Sequence, residues 1–318
     1  ARRLTFGVSA AVEPTVLNDG RILFVSAKPA TGTNAEPSLG LYTVNNDGTE
    51  VAAYALNRDG APWVNRPREL QNGWVGFIAA GGPGASFAEG VRTARPFNSR
   101  KRLFGFDVAR CRSVESGLNG AVLACLQTPE PEAAAKDCSL AVFEIKAGDN
   151  ILTPPLFDDP AWHDIEAMRP GTRPAPLGHI SAMSPAKGFG TILCLNANYS
   201  RERQDDGKPL RTASRVRVTS PDADGGTKSL GDVPLRPDGS FMAEVPADRP
   251  LGFESLDESG TVIHRLPPYL WVRAGENRTC IGCHEPSNRS PRNLRPLAVN
   301  QPVVKFSLTA DPVAQAAH

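Results

Sequence analysis

At 318 residues the chain is long enough for two domains with ample core. Its 35 Lys+Arg balance 34 Asp+Glu, which leaves no basic footprint for nucleic acid, and no apolar run approaches the ~18 residues that would span a bilayer. High Gly and Pro, 29 of each, with 7% aromatic residues favour a turn-rich all-β protein. The chain opens on Ala1 rather than Met, as a processed or trimmed N-terminus would.

An internal repeat comes first. Residues 13–25 read EPTVLNDGRILFV and residues 66–78 read RPRELQNGWVGFI, aligning Pro14 with Pro67, Leu17 with Leu70, Gly20 with Gly73 and Phe24 with Phe77. A weaker third copy, LNGAVLACL at 118–126, puts Gly120 in the same place. Each copy is a strand, a tight Asp/Asn-Gly turn and a second apolar strand, the signature of a β-hairpin. Further strands are predicted at 41–49, 102–110 and 139–151. A four-stranded sheet recurring about every 50 residues is the pattern of propeller blades. The wording of the repeat resembles the β-propeller repeats of Tol-system periplasmic proteins. About three blades are expected over 1–168, fewer than the roughly four to eight that close a ring.

RPGTRPAPLG at 169–178 is a Pro-rich linker. Alternating runs at 191–200, 214–220 and 229–266, with turn signals at Asp238-Gly239 and Ser259-Gly260, predict a β-sandwich-like domain over 179–318. Its last strand is expected at 268–276, and an extended C-terminal tail follows.

Cys280-Ile281-Gly282-Cys283-His284 comes immediately after. C-x-x-C-H is the pattern of covalent c-type haem attachment. Two thiols add to the haem vinyls and the adjacent imidazole binds the iron. With 6 Cys and 5 His in the chain, chance would give roughly 0.002 such strings. Two rival readings stay open. Half of a zinc site would want a second C-x-x-C or an H-x-x-x-H, and only His318 follows the motif. A redox pair would want a βαβ context. The expectation is one covalent haem c, held by Cys280 and Cys283 with His284 on the iron. Haem c is attached outside the cytoplasm, so a bacterial periplasm is the expected compartment. Only 34 residues follow His284, without Met, so a complete helical cytochrome does not fit there.

From Gly190 to Glu285 the chain resembles the haem-bearing β-domain of hydrazine synthase alpha subunits and their propeller-containing relatives. The residues that carry this are GTILCLNANYS at 190–200, VPLRPDGSFMAEVPADRPLGFESLDESG at 233–260 and AGENRTCIGCHE at 274–285. LFDDPAWHDIEAMRPGTRPAP at 156–176 has the same look. The resemblance implies membership of a larger redox complex. It also implies a tyrosine four residues after the motif histidine as haem ligand. Here that position is Asn288, so His284 is expected to remain an ordinary iron ligand. The family carries a second haem domain, whereas this chain has no second motif. Hydrazine synthesis itself is therefore not the expected activity.

The resemblance also makes Cys194 a candidate zinc ligand, a second metal beside the haem, against readings as an inert buried thiol or a disulfide half. Cys125 and Cys138 flank one loop and are candidate disulfide partners. For the sixth iron position the leading candidates are His179 and His264, followed by His163, His318, Met168, Met183 and Met242. The expected function is electron transfer by a monohaem cytochrome c subunit, toward a redox protein partner or within a complex. The alternatives are a haem enzyme with an open iron site acting on a small nitrogen or oxygen species, and a propeller scaffold with a structural haem.

Overall fold

The structure, a computed structural model, describes residues 2–28, 38–55, 63–71, 73–82, 85–92, 101–104, 108, 110–127, 140–146, 154–199, 211–222, 224, 226–282 and 294–306. It is all-β, with strands in five sheets and only two short 3-10 turns among the described residues. The chain divides into two compact units: one of residues 10–46 and 52–179, the other of residues 1–9, 47–51 and 180–318.

The first of these units holds three sheets that follow one another in sequence. The first is β1 (Ala11–Val16), β2 (Ile22–Lys28), β3 (Ser38–Val44) and β4 (Ala52–Ala55), in that order across the sheet. The second is β5 (Trp63–Glu69), β6 (Trp74–Gly82), β7 (Ala85–Arg92) and β8 (Lys101–Arg102). The third has three strands, β9 (Arg110–Ser116), β10 (Val122–Gln127) and β11 (Ala141–Ile145). The expected strand at 102–110 is two elements, since β8 ends at Arg102 and β9 begins at Arg110. An isolated bridge from Val142 to Phe157 extends the third sheet beyond β11 among the described residues.

Alternation explains the stacking. Along β6, Val75, Phe77 and Ala79 join Leu17, Leu23, Val25, Leu41 and Val64 in one core. The intervening Ile78 joins Val114, Val122, Ala124, Leu126 and Phe143 in the next. A strand with period-2 side chains can feed both cores only if both faces of its sheet are covered. Its neighbours on either side therefore bury the two apolar sets that the repeated sequence writes.

The repeat also recurs in the backbone. Glu13 and Arg66 occupy equivalent places in β1 and β5, both at a register irregularity and both at positive φ, 52° and 53°. Glu166 takes the same conformation, φ 57°. This region is strongly disfavoured for residues with a Cβ. What sustains it is a cross-link between repeats. The Arg66 N–H donates to the Glu13 carboxylate, and the Glu166 N–H donates to Ser113 Oγ at 3.3 Å, each across 53 residues of sequence. The Glu166 carboxylate also pairs with the Arg66 guanidinium.

The other unit contains two four-stranded sheets. One runs β14 (Thr227–Pro234), β13 (Arg215–Pro221), β16 (Leu251–Leu256), β17 (Val262–Leu270). The other runs β18 (Asn277–Cys280), β12 (Phe189–Cys194), β15 (Phe241–Pro246), β19 (Val304–Lys305). The expected single strand at 268–276 is not formed. β17 stops at Leu270, a loop occupies 271–276, and a new strand, β18, leads straight into the C-x-x-C-H motif. The loop closes on itself through Glu276, whose carboxylate accepts the Arg273 N–H at 2.7 Å and the Glu50 N–H at 2.9 Å.

Phe77 is fully buried at the centre of its core. Phe77→Ala should destabilise its unit by about 3–5 kcal/mol through the cavity it leaves. A urea titration followed by tryptophan fluorescence should show the midpoint fall without a change in slope.

Candidate functional site

The site forms where β18 ends. This strand lies at one edge of its sheet, parallel to β12, with Thr191 opposite Asn277, Ile192 opposite Arg278, Leu193 opposite Thr279 and Cys194 opposite Cys280. The ladder continues one step beyond the strands, since the Leu195 N–H donates to the Cys280 carbonyl at 2.9 Å and the Asn196 N–H to the Ile281 carbonyl at 3.2 Å. Half of the motif is therefore clamped as an added edge strand before its second thiol is reached. Cys280 is partly exposed there. Cys283 and His284 lie outside the described residues, as does Asn288.

The clamp rests on a turn built from LNANY. The Tyr199 N–H donates to the Asn196 carbonyl and the Asn198 N–H to Asn196 Oδ1, both at 2.9 Å. The Asn198 side chain locks the turn to residue 213, accepting the Ala213 N–H at 2.7 Å and donating to its carbonyl at 3.2 Å. The Ala197 N–H donates to the Gly239 carbonyl at 2.8 Å. Gly239 sits at φ 80°, and a Cβ there would lie 2.1 Å from Asn196 Oδ1. Gly282 is equally constrained. A Cβ on it would come to 2.4 Å from the Tyr199 carbonyl oxygen and 3.1 Å from that of Asn196. The x-Gly of the motif is thus demanded by the close approach of two backbones.

The tail returns to the same sheet. The Leu297 N–H donates to Asp238 Oδ2 at 2.8 Å and the Ala298 N–H to the buried Ser240 Oγ at 3.0 Å. β19 then pairs with β15 through Ala243 and Glu244. Burial works against the charge on Asp238, but the Leu297 N–H and the Ser240 hydroxyl and N–H outweigh it and hold the carboxyl below its ordinary value. A depressed carboxylate contributes stability above the ordinary range, lost as pH falls through the lowered value.

The other named residues are scattered. His179 has its Nε2 3.4 Å from the Asn45 side-chain amide and belongs to the sheet-repeat unit. His264 lies on β17, opposite Ser255, in the sheet that does not contain the motif. Met242 pairs with Leu193, one residue out of phase with the Cys194–Cys280 row and therefore on the opposite face of the sheet. His163 Nδ1 accepts the Leu140 N–H at 3.1 Å, and Met168 is exposed. Cys125 is buried and accepts the Ala167 N–H; Cys138 and His318 lie outside the described residues. Burial pushes the Cys111 thiol up to about 12, which disfavours its thiolate. Among the described residues no group of three or more His, Cys, Asp or Glu could hold a metal ion. Likewise no described helix is long and apolar enough to cross a membrane.

Two expectations follow from this geometry. Gly282→Ala should drive the motif out of its clamp, so that thiol alkylation at Cys280 accelerates severalfold relative to the unaltered chain. Asp238→Asn removes one acceptor and the charge. At pH 7 it should lower the urea midpoint, and this difference should shrink as the pH falls through the lowered carboxyl value.

Residues 195–285 match the family model of the hydrazine synthase alpha subunit middle domain. Among solved structures, hydrazine synthase of Kuenenia stuttgartiensis superposes with a TM-score of 0.73 at 19% identity, over 93% of this chain and 47% of its own. The chain thus spans about half the length of that relative. A protein described as a glycosidase, from Bacteroides thetaiotaomicron, aligns over 84% of this chain and 75% of its own at 10% identity, with a TM-score of only 0.28. No curated protein matches the sequence. The stretch 195–285 is thus similar to the middle domain of hydrazine synthase alpha subunits, and the fold of the chain is similar to that of hydrazine synthase.

Proposed function

We propose that this hydrazine synthase alpha-like chain is a monohaem c-type subunit that carries electrons within, or toward, a larger redox complex outside the cytoplasm. The observation that carries the reading is that Cys280, the first cysteine of the C-x-x-C-H string, ends an edge strand inside the stretch that matches the middle-domain model. An alpha subunit is by its description one part of an assembly, which supports a partnered role.

The described part of the motif fits the group. Cys280 is partly exposed at a strand end, where its sulfur can meet a vinyl, and Gly282 lets the motif lie flat on the LNANY turn. Cys280 and Cys283 would hold the haem by thioethers, and His284 would bind its iron. The haem, when bound, supplies the one-electron chemistry. The chain's own contribution is positional. Asn198 and Gly239 fix the turn, the turn fixes Gly282, and the β12 ladder fixes the backbone of Cys280.

The test is an optical spectrum of the chain produced with a c-haem maturation system, oxidised and reduced, with and without carbon monoxide. Soret and α bands of a low-spin haem, retained under denaturing conditions and indifferent to carbon monoxide, are expected. Absence of covalent haem overturns the cofactor assignment. A high-spin spectrum shifted by carbon monoxide overturns the electron-transfer assignment in favour of an open iron site.

A further inference from the structure

The register of β12 and β18 has a chemical consequence that the haem does not use. Cys194 and Cys280 are direct partners in the ladder, and the bond from the Leu195 N–H to the Cys280 carbonyl pins this register at the thiol row itself. Paired residues on adjacent strands project from the same face, about 4.8 Å apart. This separation falls within the ~4.4–6.8 Å between Cα atoms that a disulfide spans. The row across the sheet is Phe241, Cys194, Cys280. Phe241 and Cys194 are buried, 4% and 1% exposed, whereas Cys280 at the sheet edge is partly accessible. One cysteine of the pair is thus partly exposed, and the other is buried directly beside it.

We propose that Cys194 and Cys280 are a reversible disulfide site in the haem-free chain, and that the bond excludes haem attachment at Cys280. The accessible Cys280 thiolate attacks a small-molecule disulfide, forming a mixed disulfide and releasing one small thiol. The Cys194 thiolate then attacks the Cys280 sulfur, closing the internal bond and releasing the second small thiol. Two protein thiols are oxidised, one small disulfide is reduced, and the two protons end on the departing thiols. While the bond stands, Cys280 has no thiol to add to a vinyl. Cys194 thereby competes with the haem, and attachment requires a reductant that opens this bond. The exclusion of haem rests on the proposed c-type function; the disulfide itself does not.

The haem-free chain of 318 residues is exposed to oxidised glutathione, quenched in acid, alkylated and digested without reduction. Mass spectrometry should find the Cys194 peptide linked to the Cys280 peptide as the main cross-link, in the chain as it stands and in Cys283→Ser alike. In Cys194→Ser, Cys280 should instead be recovered as its glutathione adduct or joined to Cys283. With a maturation system, Cys194→Ser should load haem with a severalfold weaker dependence on added thiol reductant. Recovery of only a Cys280–Cys283 link, or of no link, overturns the proposal even where haem attaches normally. A Cys194–Cys280 link in a chain that never acquires haem sustains the disulfide and overturns the c-type function and, with it, the exclusion.

Discussion

The parallel pairing of β18 with β12 is the constraint on which the site depends. A C-x-x-C-H string in a loop would hold its ligands only loosely. Here the first cysteine is an element of a hydrogen-bonded ladder, and that ladder runs on through Leu195 and Asn196 to Ile281. Edge strands ordinarily present unpaired backbone groups that invite foreign strands. β12 gains cover on one side from the motif strand itself, and β15 gains it on the other from β19. The chain thus closes both sides of one sheet with β18, which ends on the first cysteine of the C-x-x-C-H string, and with β19, which follows that string.

Around this ladder the supporting contacts converge on backbone rather than on other side chains. Asn198 holds Ala213, Asp238 holds Leu297, and Glu276 holds Arg273 and Glu50, all by accepting or donating to main-chain groups. Each such bond fixes where a strand begins or a turn ends. Burial raises the Glu276 carboxyl above its usual value, with the N–H groups of Arg273 and Glu50 and the charge of Arg278 opposing. A raised carboxyl contributes stability below its ordinary value, lost as pH rises through the raised one. Glu276 and Asp238 thus pull in opposite directions with pH, one at the entry to the motif strand and one at the return of the tail.

Local chemistry made part of this legible from sequence. The Asp19-Gly20 and Asn72-Gly73 pairs mark turns, and the fold closes them with Leu17 N–H to Arg21 and Leu70 N–H to Trp74 bonds, 2.9 and 2.7 Å long. Gly120 does the same work in the third copy, where the Gly117 N–H reaches Ala121. What stayed hidden was long-range register. Nothing in the spacing of TILC and NRTC says that they lie side by side, because a parallel pair has no connecting turn to sign it. The Glu166 corner was equally silent. It lacks an Asn-Gly pair, and its likeness to Glu13 and Arg66 is held in φ and in a bond to Ser113. Cys283 and His284, the residues most specific in the sequence, lie outside the described residues.

The β12–β18 ladder also bears on the order in which the molecule is made. Its two strands are separated in the chain by β13 to β17, so β12 waits for its parallel partner until all five intervening strands have been made. Contacts so distant in sequence form late, after the loop-closure entropy of everything between them has been met. The repeated hairpins upstream close locally and early. A nascent chain would therefore carry its cysteines unclamped until β18 has been made, and the two thiols of the ladder would meet late in folding.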